Sequence, residues 1–383
     1  MYQGQTLQAL ATEISRQKET RKDFLAPASK LRFAQEQFTE ADSNGEFNRR
    51  NRIVLAIAGK DGVSTYQPNE NFNSQLAEYL RIPMEYYRRM ESEVPDLLVA
   101  SANAWLDNKA KIANQTAPGA GQRLEDKDER RLVRTLDGKA RAFLSPRYQP
   151  LDNDRLVEAI LPVLLRENKF ELASCNVTDQ RLDLKVHLPR IQGQITVGDT
   201  VNFGLAIRNS EVGNGSLAVE LMAYRLSCSN GLITEKAVRK YHVGRQQNSL
   251  EGSWEVFSDA TRQLTDKTFW NQLQDTMRAT VAKAEENFDG LLNKLRKTTQ
   301  IALPKPVEAV EVIQERFGLN DEEGSGILEQ LIKGGDISLW GLTNAVTAYA
   351  QDNKLTYGRA TELEAIGGKV IELTAKDLVL EAA

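Results

Sequence analysis

The 383-residue chain holds only two cysteines, Cys175 and Cys228, and two histidines, His187 and His242. So few cysteines exclude a disulfide framework and a thiolate zinc centre, and they fit a reducing compartment. Both lie in apolar, strand-like runs and read as buried free thiols. Two histidines leave few candidates for general acid–base catalysis or histidine metal ligation. His187 reads as a residue on the polar side of a strand and His242 as one near a strand end.

Other absences are equally informative. No run approaches the roughly 20 apolar residues of a membrane span, and Met1 to Gln5 lacks the charged and apolar regions of a signal peptide, so a cytoplasmic protein is expected. The chain carries no glycine–lysine phosphate loop, no Gly-x-Ser-x-Gly elbow, no His-Glu-x-x-His and no dinucleotide fingerprint. Catalytic residues, cofactors and metals are therefore not expected. The acidic groups Asp126 with Asp128 and Asp321-Glu322-Glu323 read as solvated surface or helix caps rather than cation sites. A net charge of −4 removes the globally basic character of many nucleic-acid binders and leaves only local patches for that role.

What is present is ordinary globular material: 41% hydrophobic and 27% charged residues, in a length that fits two or three domains. Leu7, Leu10, Ala11 and Ile14 predict a helix over Thr6 to Leu25, and Phe33 to Asn51 is polar. Ile53 to Ala58 reads as a short buried strand. From Asn73 the spacing predicts three short helices, with Pro83 and Pro95 at helix starts. Gln75 to Pro83 has the outline of a helix-turn-helix opening, but Tyr86, Tyr87 and Met90 follow it, which favours a packing unit over a base-reading helix. The small, Pro- and Gly-containing segment Asn114 to Gly121 marks a boundary.

Beyond it the pattern is strand-rich: Ala140 to Leu144, Glu171 to Val177, Leu182 to Leu188, Thr200 to Arg208, Leu217 to Leu226 and Ala237 to Val243. Asp183, Lys185 and His187 alternate with Leu182, Leu184, Val186 and Leu188, which predicts one buried and one polar face. Asp154 to Arg166 is a helix with its leucines on one side. Helical periodicity returns after Ser258, and its apolar stripe suits either packing on the sheet or self-association. The expected fold is α+β: a central antiparallel β-sheet with a backing helix over 124–250, flanked by a mostly helical N-terminal region, 1–113, and a C-terminal helical region, 258–383.

Arg134, Arg141, Arg147, Arg208, Arg225, Arg239, Lys240 and Arg245 fall in these strands and turns, with Tyr148 and Tyr241 among them. Guanidinium forks grip phosphate bidentately and aromatic rings stack on bases, the general recipe for single-strand binding. Asn209, Ser210, Glu211 and Asn230 would shape the rim of such a groove. The competing reading pairs the same arginines with Asp152, Glu211, Glu220 and other interleaved acids as structural ion pairs. Acidic partners for Arg141, Arg208, Arg225 and Arg245 would decide for that reading. A metal-dependent nuclease would need Asp152, Asp199 and Glu211 to converge.

The phrases Arg141-Ala142-Phe143-Leu144-Ser145-Pro146-Arg147-Tyr148, Val197-Gly198-Asp199, Asn209-Ser210-Glu211-Val212-Gly213, Tyr224 to Gly231, His242 to Arg245 and Trp340 to Thr347 together resemble an uncharacterised family of phage- and plasmid-encoded proteins. The resemblance runs from about Gln75 to Leu373, and Pro146 stands where that family's phrase has Asp. It implies an accessory protein of mobile elements in a bacterial host, acting around their DNA. Single-strand annealing proteins combine an antiparallel sheet, a backing helix and ring-like assembly. By that analogy the chain is expected to bind single-stranded DNA without catalysis, as a homo-oligomer, with a host or phage protein as a further possible partner. The alternative is a protein-interaction or structural module.

Overall fold

A computed structural model describes residues 4–41, 47–59, 62–115, 130–146, 148, 150–167, 169–226, 230–240 and 259–378. The described elements are α1 (Leu7–Thr20), β1 (Lys22–Pro27), β2 (Leu31–Ala41), β3 (Phe47–Gly59), β4 (Gly62–Pro68), α2 (Glu70–Leu80), α3 (Met84–Glu93) and α4 (Pro95–Gln115). They continue with β5 (Arg130–Leu136), β6 (Lys139–Leu144), α5 (Asn153–Leu161), β7 (Glu171–Val177), β8 (Leu182–Thr196), β9 (Asp199–Asn209), β10 (Leu217–Arg225) and β11 (Asn230–Lys240). The chain then runs through α6 (Asp259–Thr298), α7 (Pro306–Phe317), α8 (Asp321–Gly334), α9 (Leu339–Tyr349) and α10 (Tyr357–Val370). The class is α+β, with helices towards both ends.

The strands form two sheets rather than one. Six strands lie in the order β1-β5-β6-β4-β3-β2, and five form the meander β11-β10-β9-β8-β7. The meander is antiparallel throughout, while in the first sheet β4 meets β6 in parallel. β6, expected with the central strands, and β5, an unexpected strand within the same 124–250 region, instead complete the N-terminal sheet by pairing with β4 and β1. The N-terminal region, expected to be mostly helical, therefore carries four strands. The predicted first helix ends at Thr20, and Lys22 to Pro27 leaves it as a strand opposite Arg130 to Thr135. Phe33 to Asn51 scarcely alternates in polarity, so period-2 logic missed its strands. Asn114 and Gln115 of the predicted boundary segment end α4, and its remainder, Thr116 to Gly121, lies outside the described residues, as do Asp126, Asp128, Cys228 and His242.

Each sheet has its own apolar core. Phe72, Leu76 and Leu80 of α2, Tyr87 and Met90 of α3, and Leu98 and Leu106 of α4 cover Phe33, Leu55, Val133 and Phe143 of the first sheet. Tyr87 and Met90 are thus core residues, and the Tyr87 hydroxyl donates to Asn73 Oδ1 at 2.9 Å. On the meander, Leu182, Leu184, Val186 and Leu188 meet Leu156 and Ile160 of α5 and Leu273, Met277, Val281 and Phe288 of α6. The apolar stripe of α6 therefore packs within the chain. A third core, from Leu303 to Leu378, holds α7 to α10 together. Asp321-Glu322-Glu323 forms the first turn of α8, where Asn320 and Glu323 make a reciprocal capping box, as expected of a helix start.

The opposite face of the meander is not solvent-exposed. α10 lies across it, and the predicted polar positions Asp183, Lys185 and His187 are all buried. Gly368 makes the close approach possible, because a Cβ there would stand 1.7 Å from Ile233 O.

Candidate functional site

The segment that ends β9, Asn209 to Gly213, is the place where the two sheets are joined. Gly213 sits at φ +85°, and a Cβ there would reach 2.7 Å from Leu144 Cδ2, so glycine is required both for conformation and for space. The Val212 carbonyl accepts from Gln75 Nε2 at 2.7 Å and Asn71 Nδ2 at 3.3 Å, both on α2. Asn209 Nδ2 donates to Leu151 O at 2.7 Å and Asn153 Oδ1 at 2.8 Å, and Ser210 Oγ donates to Gln180 O at 2.9 Å. The Tyr148 hydroxyl donates to Ser210 O at 3.2 Å, and burial pushes its pKa up. These amide and hydroxyl groups do not form the rim of an open groove. They satisfy backbone groups inside the junction.

Charge gathers at the same place. Arg141, 1% exposed, donates through Nη2 to Glu211 Oε2 at 2.6 Å and through Nη1 to Asp179 O at 2.8 Å. Arg134, fully buried, forks onto Asp23 at 3.0 Å on both arms, reaches Asp152 at 2.7 Å, and donates to Glu211 O at 2.8 Å. Glu211 Oε1 also accepts from the Asn153 amide at 2.6 Å and from Arg21 at 3.4 Å. Burial opposes ionisation of Asp152, but Arg134 and Arg21 outweigh it and hold its carboxyl below the ordinary range. Asp152 and Glu211 do converge, yet onto guanidiniums. Asp199 lies elsewhere, against Arg225 and Trp340. Among the described residues, no three His, Cys, Asp or Glu side chains group as metal ligands would.

Of the other expected phosphate contacts, Arg208 pairs with Glu220 and Arg225 with Asp199. Arg141, Arg208 and Arg225 each meet an acid, as the structural-pairing reading expects. Arg147, Tyr241 and Arg245 lie outside the described residues. Asn230, Arg239 and Lys240 are described as backbone positions on β11, the edge strand, where Lys240 and Arg239 stand opposite Leu217 and Ala218.

The Asp199 corner opens onto a cleft of about 520 Å³ between the β8–β9 turn and helices α8 and α9. Trp340 Nε1 donates to Asp199 Oδ2 at 2.9 Å, and the Arg225 guanidinium lies 6.0 Å from the Trp340 ring centre. Asn344 and Leu331 line the same space. Four exposed large apolar residues directly follow lining residues in the chain: Val197 at the turn, Leu226 after Arg225, Ile332 on α8 and Ile337 before α9.

Residues 142–366 match the family described as a domain of unknown function, DUF932. The chain belongs to that family. The DUF932 region takes in the whole meander, the Glu211 junction, the Asp199–Arg225–Trp340 corner and most of α10. It begins just after Arg141, so Arg21, Asp23, Arg134 and Arg141 contribute to the junction from outside it. No curated protein and no solved structure matches the chain.

Sequence reasoning missed the polar face beneath α10 of the DUF932 region. There Lys185 Nζ lies 2.5 Å from Glu364 Oε2 and 4.8 Å from the centre of the Tyr357 ring, while Tyr357 and Ser174 share a hydrogen bond of 2.6 Å. The Lys185–Glu364 contact is ionic, without the alignment of a hydrogen bond. His187 stacks on Tyr224 with ring centres 4.6 Å apart, and burial lowers its pKa. The signal available in the sequence was Gly367-Gly368, a glycine pair inside a helix, which permits close helix-on-sheet packing.

Cys175 is buried, as expected, and its thiol donates to Gln5 O at 3.0 Å. Burial pushes its pKa up to about 11. Iodoacetamide at pH 8 is expected to label Cys175 roughly two orders of magnitude more slowly in the folded protein than in the unfolded chain, because the thiolate is the reactive form. Mass mapping of the labelled peptides separates it from Cys228.

Proposed function

We propose that the chain is a non-catalytic interaction module of a phage or plasmid, which docks a partner protein at the cleft beside Asp199, Arg225 and Trp340. The observation that carries this reading is a cleft lined by Trp340 and Arg225 with exposed apolar residues next in sequence to its lining. Val197, Leu226, Ile332 and Ile337 are exposed and directly follow the lining residues Thr196, Arg225, Leu331 and Asp336, and exposed apolar side chains near a concavity favour a contact site. Trp and Arg at its floor are the residue types that anchor interfaces. The paired state of Arg141, Arg208 and Arg225 supports the same choice, because their charge is already engaged within the fold. The resemblance to mobile-element proteins supplies the setting.

The test compares wild type with Val197→Asp/Ile332→Asp, two exposed changes that leave the cores intact. Proteins captured from cells carrying the element are identified, and the partner is then purified and titrated. A rise in Kd of at least about tenfold in the variant is expected, since hot-spot losses of about 2 kcal/mol are typical. An unchanged Kd sinks the reading.

Single-strand DNA binding, with homo-oligomer formation, is the second reading. It draws on the helix-backed antiparallel meander and on the basic edge strand with Arg239 and Lys240. Fluorescence anisotropy with single-stranded and duplex oligonucleotides over a salt series tests it. Steeply salt-dependent single-strand binding that falls in Arg239→Ala/Lys240→Ala and survives Val197→Asp/Ile332→Asp would replace the first reading with this one. Arg141→Ala is unsuited to that assay, because it would strand Glu211 inside the junction.

A further inference from the structure

A second cleft, of about 340 Å³, lies at the other end of β8 and β9, by the β7–β8 turn and the start of α10. It is lined by Asn176 of β7, Asp179 and Arg181 of the β7–β8 turn, Asp183 of β8, Asn214 and Gly358. Asp183 is 2% exposed, and its Oδ1 accepts no hydrogen bond from any described residue. Its cross-strand neighbour Arg208 is drawn away to Glu220, and Lys185, two positions along the strand, to Glu364. A buried carboxylate oxygen without a donor is unfavourable unless something else supplies one.

We propose that this cleft binds a small cationic nitrogen group, an ammonium or a guanidinium, held by Asp183. The charged lining residues are Asp179, Asp183 and Arg181, an excess of one negative charge that a single cation balances. The rest of the lining includes amide and hydroxyl groups that accept hydrogen bonds, and no aromatic ring that would stack a base. A charge-assisted N–H···O⁻ bond would satisfy Oδ1. The site is separate from the Asp199 cleft, so it stands or falls independently of the proposed function.

The free protein holds the Asp183 carboxyl up, first by burial and then by Glu364, against Arg181, Lys185 and Arg208, to about 6. Of the groups on the elements packed around it, Tyr357 on α10 has its own pKa raised by burial, so it stays neutral across the working range. Cation binding therefore needs the ionised carboxylate, and it weakens as pH falls through about 6.

The experiment is thermal unfolding of the full chain with methylguanidinium, agmatine and N-acetyl-arginine-amide at constant ionic strength. At pH 7.5 a saturable rise in Tm of about 2 °C or more is expected at high ligand excess, with affinity at least about tenfold weaker at pH 5. Asp183→Asn is expected to abolish the response and, above pH about 6, to raise the Tm of the ligand-free protein. Should that variant not fold, Asn214→Ala, an exposed change in the cleft wall, is expected to weaken binding with the ligand-free Tm unchanged. No saturable shift with any probe, or an equal shift in Asp183→Asn, overturns the proposal. Tighter binding of N-acetyl-arginine-amide than of agmatine would point to an arginine side chain of a partner, and the reverse to a free amine.

Discussion

Glu211→Ala is expected to destabilise the protein by about 3–5 kcal/mol, the effect of removing one partner of a buried ion pair. The reason is what it leaves behind. Arg141 is 1% exposed and would keep a buried guanidinium whose remaining acceptor among the described residues is Asp179 O, and the Asn153 amide would lose its acceptor at the start of α5. Against a whole-domain stability of about 5–15 kcal/mol, that loss brings the fold near its threshold. Urea unfolding of Glu211→Ala and Glu211→Gln measures it. Gln keeps the shape and an acceptor oxygen, so it should fall between wild type and Ala. A change below about 1 kcal/mol in Glu211→Ala would mean that the junction does not hold the sheets together. Acid should act on the same network. Asp152 has its carboxyl depressed in the fold, so its contribution is present above its unfolded pKa and is lost as pH falls through the lower folded value.

The second large effect is expected under α10. Glu364 is fully buried and Lys185 1% exposed, so Glu364→Ala strands a buried ammonium and should also lose about 3–5 kcal/mol. Replacing both, as Lys185→Met/Glu364→Leu, removes the two desolvation penalties together and should restore stability to within about 1–2 kcal/mol of wild type. The coupling energy from the four-protein cycle isolates the pair. A double variant as unstable as Glu364→Ala would show that the face depends on shape and not on charge pairing. Tyr357 and Ser174 stay in place in both variants, so near-ultraviolet circular dichroism reports whether α10 remains docked.

How far the site could be read from the sequence follows from which interactions are local. The meander strands were legible because Leu182 to Leu188 alternate strictly and because Gly213 and Gly215 punctuate a turn. The Asn209-Ser210-Glu211-Val212-Gly213 phrase stood out for residue types that a turn alone does not require, and it is the junction of the two sheets. Its role was not legible, since Arg21, Gln75, Arg134 and Asn153 come to it from 58 to 190 positions away in the chain.

Composition and local pattern alone determined the class, the antiparallel central strands, the long C-terminal helix, the buried thiol at Cys175 and the capped start at Asp321. Each depends on spacing within one element or one turn. Only the tertiary structure decided that β5 and β6 belong with the N-terminal strands, that the Asp183–Lys185–His187 face lies beneath α10, and that the arginines face carboxylates instead of solvent. An arginine on a strand has the same local pattern whether it meets a phosphate or an aspartate, and the difference is made by residues brought close only when the chain is folded.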